Sequence, residues 1–430
     1  MSFPIQQQSR NCLMLTVSML TCLMLLINVS FKIINFESML ITSSSVLCPL
    51  VACFYLAILS KCSFVQQRHA LNQSLLTLYL FSIGIYILVN LPAAEYMRDS
   101  TAYQIVFEDI PRKFFASTIA FAVSFYLPHL YCCARRPAIL ISPKKRLLLV
   151  LFGGISFFSF DFLLLFADPH VESFGRMFFD SLLISATILL IAAIFYLIMH
   201  LTAKPASTDV PKESFYFISP WYHYLVSFAV TVTLISLSCE YRIVSFGNDW
   251  TLTASGIVFP LVIMASNLIG ELYGYKANLL LALFIILAEL VFDGLLMLVT
   301  VLPSPDFFDL TPFYSFTMPR RIPATILTLL ISLAGNSFLL EKLKQTGYGS
   351  NRGLRLLVAN LIVNSLLCLI NYSLLFGGMY PFEQVFNLAT NAWVLKFILT
   401  LIGVPFVLWI YELLNSQIVR RRDSSLPTAY

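Results

Sequence analysis

Asn267 and Glu271 bring the most chemistry into an otherwise apolar part of this chain. The local sequence is Phe259-Pro260-Leu261, then Asn267-Leu268-Ile269-Gly270-Glu271-Leu272-Tyr273-Gly274. Residues four apart on a helix share one face. Ionisable groups at membrane depth are rare and usually face a pathway or a partner. A glutamate accepts from ring N–H and amino groups, while an asparagine both donates and accepts. Such a face suits a flat, hydrogen-bond-rich solute such as a purine-like base, with Tyr273 just beyond and Gly274 placed to end the helix. A second reading stands beside this one, in which Glu271 lies near the interface as a solvated, snorkelling side chain.

Further candidates are spread along the second half. Arg320 and Arg321 follow Pro319, as Arg112 and Lys113 follow Pro111. Proline suits a first helical turn, so these cations read as an outer vestibule, as counter-ions for a carboxylate, or as headgroup contacts. Glu289 and Asp293 are four apart among Leu, Ile, Ala and Phe. Two such carboxylates in lipid should not both ionise, which makes them proton-coupling candidates with Lys396 or an arginine as partner. Asn364 could line a cavity, as could Asp161, Asp180, Asn360, Asn371, Asn387 and Asn391; helix–helix hydrogen bonds explain such residues equally well. No P-loop, His-Glu-x-x-His or Gly-x-Ser-x-Gly occurs, and the five histidines are separate. Enzymatic activity therefore has no support in the sequence, and neither a cofactor nor a metal site is expected.

These residues sit in a chain that must live in a bilayer. Of 430 residues, 59% are hydrophobic and 11% charged, and the mean hydropathy is +0.83. A soluble domain carries about 25% charge, so this chain cannot cover itself with a polar surface. The 38 Phe and 20 Tyr fit lipid-facing and interfacial positions, not nucleic-acid binding. The net charge of +5 resides in short alternating loops and does not mark a polyanion-binding surface. The nine cysteines are scattered without metal spacing; Cys132-Cys133, before Arg135-Arg136, reads as packing, with acylation as the other reading. The long apolar run after Arg10 reads as a first membrane helix and not as a cleaved signal.

Runs of about 20 apolar residues fall near 11–34, 40–60, 72–92, 105–132, 146–167 and 177–201, then near 222–246, 252–273, 278–302, 314–340, 354–377 and 386–415. The fold class expected is an all-α polytopic membrane protein of about twelve transmembrane helices. Basic loops alternate with acidic ones: Lys61 and Arg68, Arg135 to Arg146, Lys204 and Lys212, Lys276, Lys342 to Arg355 and Arg420–Arg422 on one side; Glu95, Asp99, Asp168, Glu172, Glu240, Asp249, Asp306, Asp309 and Glu383 on the other. Basic loops stay cytoplasmic, which puts both termini inside. With an even number of helices per half, the halves become parallel six-helix repeats. The expected division is residues 1–202, a linker at 203–214 and residues 215–430.

The halves echo one another at an offset of about 210 residues, the scale of an internal duplication. Pro49-Leu50-Val51 pairs with Pro260-Leu261-Val262, and Pro111-Arg112-Lys113…Ala116-Ser117 with Pro319-Arg320-Arg321…Ala324-Thr325. Arg146 pairs with Arg355, and Phe166 with Phe376.

The order Pro260…Asn267-x-x-x-Glu271-x-Tyr273-Gly274-x-x-Ala277 resembles the signature of the VUT (YhhQ-type) family. Pro319-Arg320…Ala324-Thr325 is similar to that family's Pro-Arg-x-x-x-Ala-Ser, and Lys396, Pro405-Phe406 and Tyr411 to its closing Lys…Thr-Pro…Tyr. The resemblance implies six-helix transport units, a queuosine precursor or vitamin-like substrate, and Asn267, Glu271, Tyr273, Arg320, Arg321, Asn364 and Lys396 as substrate-binding positions. Asn267 stands where the family has an aspartate. The first half has lost the motif, with Leu56, Ser60 and Ser63 at Asn267, Glu271 and Gly274. That half reads as scaffold or as one wall of a shared site. The expected function is import of a small nucleobase-like metabolite by alternating access, in the plasma (inner) membrane. The alternative is a substrate-binding membrane subunit that needs a separate energising partner. The expected partners are the small-molecule substrate and the lipid bilayer, without nucleic acid; proton coupling and homo-oligomers stay open.

Overall fold

The computed structural model describes residues 3–30, 32–36, 38–94, 110–135, 142–166, 174–202, 220–247, 250–305, 311–346 and 350–424. The linker at 203–214 and the acidic positions Glu95, Asp99, Asp168, Glu172, Asp249, Asp306 and Asp309 lie outside them.

Long apolar runs leave backbone amides no partner in lipid, so they close their hydrogen bonds locally as helices. In the first half these are α1 (Phe3–Val29), α2 (Ser44–Lys61), α3 (Phe64–Val89), α4, α5 (Pro143–Phe166) and α6 (Phe174–Thr202). Helix α4 comprises Ile110–Phe121, a π-helical stretch Ala122–Tyr126 and Leu127–Arg135. The second half repeats the order: α7 (Pro220–Ser238), α8 (Ala254–Tyr273), α9 (Tyr275–Val301), α10, α11 (Arg352–Phe376) and α12 (Phe382–Ser424). Helix α10 runs through Thr311–Leu329, a π-helical Leu330–Gly335 and Asn336–Lys344. Among the described residues, 12 helices are long and apolar enough to cross a membrane. The expected polytopic all-α class is what is found.

Two short hairpins correct the expected spans. The first span was expected to reach residue 34 and the seventh residue 246, yet α1 stops at Val29 and α7 at Ser238. Strands β1 (Ile33–Phe36) and β2 (Met39–Thr42) pair antiparallel, as do β3 (Ile243–Ser245) and β4 (Thr251–Thr253). Hydropathy does not separate a buried apolar strand from the end of an apolar helix. A buried cation begins each hairpin and sits at the C-terminal end of another helix. Lys32 Nζ donates to Thr300 O of α9 at 2.9 Å. Arg242 donates to Val89 O at the end of α3, and to Leu91 O at 2.7 Å. The last carbonyls of a helix lack intrahelical donors and carry partial negative charge, which these cations satisfy.

Contacts divide the chain into two compact units. One gathers the described residues of Met1–Tyr86, Thr101–Ile218 and Val291–Ser315. The other gathers those of Ile87–Ser100, Ser219–Leu290 and Phe316–Tyr430. In the first, α2 packs against α1, α5 and α6; in the second, α8 packs against α7 and α12, and α11 against α12. Helices α6 and α12 are the least buried spans, which leaves large apolar side chains for lipid.

Candidate functional site

Helix α8 organises the second unit. Thr253 caps it, its hydroxyl accepting from Gly256 N at 3.2 Å and pairing with Tyr372 OH at 2.8 Å. A Cβ on Gly256 would come within 2.9 Å of Tyr372 OH, so only glycine permits that approach. Pro260 removes an amide that would bond the Gly256 carbonyl. Gly274, at φ +87°, ends α8 as expected, and α9 starts at the next residue.

Two small cavities follow the same three helices. The first, of about 20 Å³, is lined by Lys396, Glu240, Phe259, Asn371 and Tyr372, with hydroxyls from Ser236, Ser255, Thr325 and Thr328. Lys396 is 2% exposed. Its ammonium stands 5.9 Å from the centre of the Phe259 ring and 5.8 Å from that of Tyr372, with the Cys368 thiol beside it. Glu240 faces Arg321 at 3.8 Å, both side chains 6% exposed. Thr328 donates to Asn371 Oδ1 at 2.8 Å.

One turn further along lies a cavity of about 10 Å³, bordered by Pro260, Asn267, Asn360, Asn364, Thr400 and Gly403. Asn336 Nδ2 donates to Asn267 Oδ1 at 2.8 Å, and Asn267 Nδ2 donates to Asn360 Oδ1 at 2.9 Å. Asn364 Nδ2 donates to Thr400 Oγ1 at 3.2 Å, and Thr400 in turn donates to Lys396 O at 2.7 Å. A turn beyond Asn267, Arg355 Nη2 donates to both Glu271 oxygens at 2.8 and 2.7 Å. Lys344 approaches Glu271 to 4.0 Å and Glu341 to 3.5 Å. From Gly256 to Glu271 this polar line runs about 22 Å along α8.

The expected site residues therefore separate. Lys396 lines the larger cavity and Arg321 holds Glu240 at its edge, while Asn267 and Asn364 border the smaller one. Glu271 lines neither cavity: Asn267 sits in an amide cluster and Glu271 in a separate ion pair one turn on. Four-residue spacing gives a shared face, yet Arg355 supplies the charge that draws Glu271 away. Tyr273 packs edge-on against Tyr222 at 5.2 Å. Arg320 is half-buried and donates to Gly377 O at 3.0 Å. Glu289 and Asp293 are both buried, one turn apart on α9, and neither lines the two cavities. Lys396, their suggested partner, makes no ion pair among the described residues.

The sequence pattern did not mark Glu240 and Arg355 as site residues, since both read as loop charges, and it gave no role to Phe259, Tyr372 or Asn336. Two signals pointed to the Arg355 position: its in-register match to Arg146, and the family's Arg…Ser-Thr…Gln…Asp stretch, of which this chain keeps Arg355 but has Ala359, Asn360 and Asn364 after it.

A helical membrane protein with a closed polar line through one bundle is the class that this geometry defines. Residues 253–410 match the family model described as "Putative vitamin uptake transporter", so the matched stretch spans from the cap of α8 well into α12. This is the family that the motifs resemble, and the match lies within the second half. No curated protein matches the chain, and no solved structure does.

Proposed function

We propose that the protein is a carrier that imports a small nucleobase-like metabolite, a queuosine precursor of the 7-deazapurine type, by alternating access through the second half. The observation that carries this reading is the enclosed polar cavity in which Lys396 faces two aromatic rings. A flat heterocycle can stack on Phe259 or Tyr372. Asn371, Thr325, Thr328 and Glu240 offer both donors and acceptors to its edge.

Cavities of about 20 and 10 Å³ have room for a water molecule each and for no heterocycle. Ligand pockets span about 300–1,000 Å³, so α8, α11 and α12 must part to admit the solute. The Glu271–Arg355 pair with Lys344, and the Asn336–Asn267–Asn360 cluster, close the Gly274 end. Lys276, Lys342, Lys344 and Arg352 gather near that end, which by the charge rule makes it cytoplasmic, with both termini inside the plasma (inner) membrane. Opening the ion pair then releases solute inward.

The halves are read as two six-helix repeats, 1–202 and 215–430, joined at 203–214. Matching hairpins, matching π-helical stretches and the Lys32/Arg242 pair support duplication. In the first half Phe162 packs with Phe158, Phe166, Phe174 and Phe178, at the register of Tyr372. Rings fill that space, which supports a scaffold role.

Purified protein in liposomes should take up radiolabelled 7-deazaguanine, and Tyr372→Ala should lower the rate at least roughly tenfold. Uptake by the chain alone would also exclude a binding subunit dependent on a partner. Wild-type vesicles no better than empty ones would sink the carrier reading.

A further inference from the structure

We infer that the Lys396 cavity selects solutes that carry a negative charge on a flat ring. This inference deepens the proposed transport function and rests on it. Lysine is almost never fully buried unless paired, because withdrawing an ammonium from water forfeits its hydration. Lys396 lies near the middle of the span Phe382–Gln417, so its side chain cannot snorkel to either interface. Among the described residues it makes no ion pair.

The charges around it do not balance. Glu240 faces the same cavity, but Arg321 already stands 3.8 Å from it. Helix α11 contains no acidic residue, and neither does α7. The acid of α8, Glu271, is held by Arg355 at the far end of the polar line. At this cavity Lys396, Arg321 and Glu240 thus leave one positive charge in excess; Glu289, a further buried acid of this unit, does not line it. Contact with the Phe259 and Tyr372 faces offsets the lost hydration only in part. A carboxylate or an acidic heterocycle supplies the missing charge, with its ring lying against the same aromatic faces. An amine-bearing solute brings a second cation and is rejected.

The test uses the full chain in lipid nanodiscs with matched probes: 7-deazaguanine carrying a 7-carboxylate, 7-carboxamide or 7-aminomethyl group, and separately nicotinate against nicotinamide. In at least one series the carboxylate is expected to bind roughly tenfold tighter than its amide, and the aminomethyl compound weakest in its own. Lys396→Met should erase the preference and should melt, without ligand, no lower than wild type, because a neutral side chain of similar shape replaces a stranded charge. A wild-type protein that binds acid and amide alike overturns the inference, as does a preference that survives Lys396→Met, a variant that melts clearly lower, or no probe binding at all. Lys396-dependent nicotinate binding without any deazaguanine binding would keep the inference and remove the nucleobase reading. Deazaguanines bound regardless of charge would do the reverse.

Discussion

Glu271 and Arg355 form a doubly bonded ion pair with side chains only 6% and 5% exposed. Removing one partner from a buried pair strands the other charge and costs about 3–5 kcal/mol. Glu271→Ala should therefore lower the melting temperature in detergent sharply, and the double variant Glu271→Gln/Arg355→Gln should recover much of the loss. A loss in the double variant equal to the sum of the Glu271→Gln and Arg355→Gln losses would show that the two side chains act independently. Asn267 sits in the middle of an amide chain, so Asn267→Ala leaves Asn336 and Asn360 each short of one partner, at about 1–3 kcal/mol. The Asn267/Glu271 spacing was legible because polar residues stand out in an apolar run. Arg355 and Glu240 were not, because a charged residue near a span end reads as a loop residue until the fold turns it inward.

Elements carry the next layer. Gly274 joins α8 to α9 at φ +87° and ψ 176°, a region essentially reserved for glycine at about 1–3 kcal/mol for other residues. Gly274→Ala should destabilise by that amount in chemical denaturation, whereas a change at Gly294, where a Cβ would meet nothing within 4 Å, should cost far less. Arg242 holds the Val89 carbonyl that ends α3 and the Leu91 carbonyl just beyond it. Arg242→Met should speed amide exchange around the β3–β4 hairpin, and unchanged exchange there would contradict the brace. The π-helical stretch Leu330–Gly335 directly precedes Asn336 and turns the last segment of α10 by about 100° relative to an uninterrupted helix. All the spans were legible from hydropathy, since lipid demands a minimum apolar length. The hairpins and π-helical stretches were not, because period-2 strands and single extra residues leave no mark on an averaged window.

At the scale of the whole molecule, both halves share one element order but not one chemistry. The second carries the amide cluster, the ion pair and the Lys396 cavity, while the first presents packed, mutually tilted phenylalanines where Tyr372 would stand. The most direct measurement is uptake of labelled 7-deazaguanine by liposomes holding wild-type protein, Asn267→Ala/Tyr372→Ala or, in the first half, Phe162→Leu. The account predicts uptake by wild type and Phe162→Leu, and at least a roughly tenfold loss in the double variant despite normal membrane insertion. Undiminished uptake by the double variant would contradict a solute route along α8, α11 and α12.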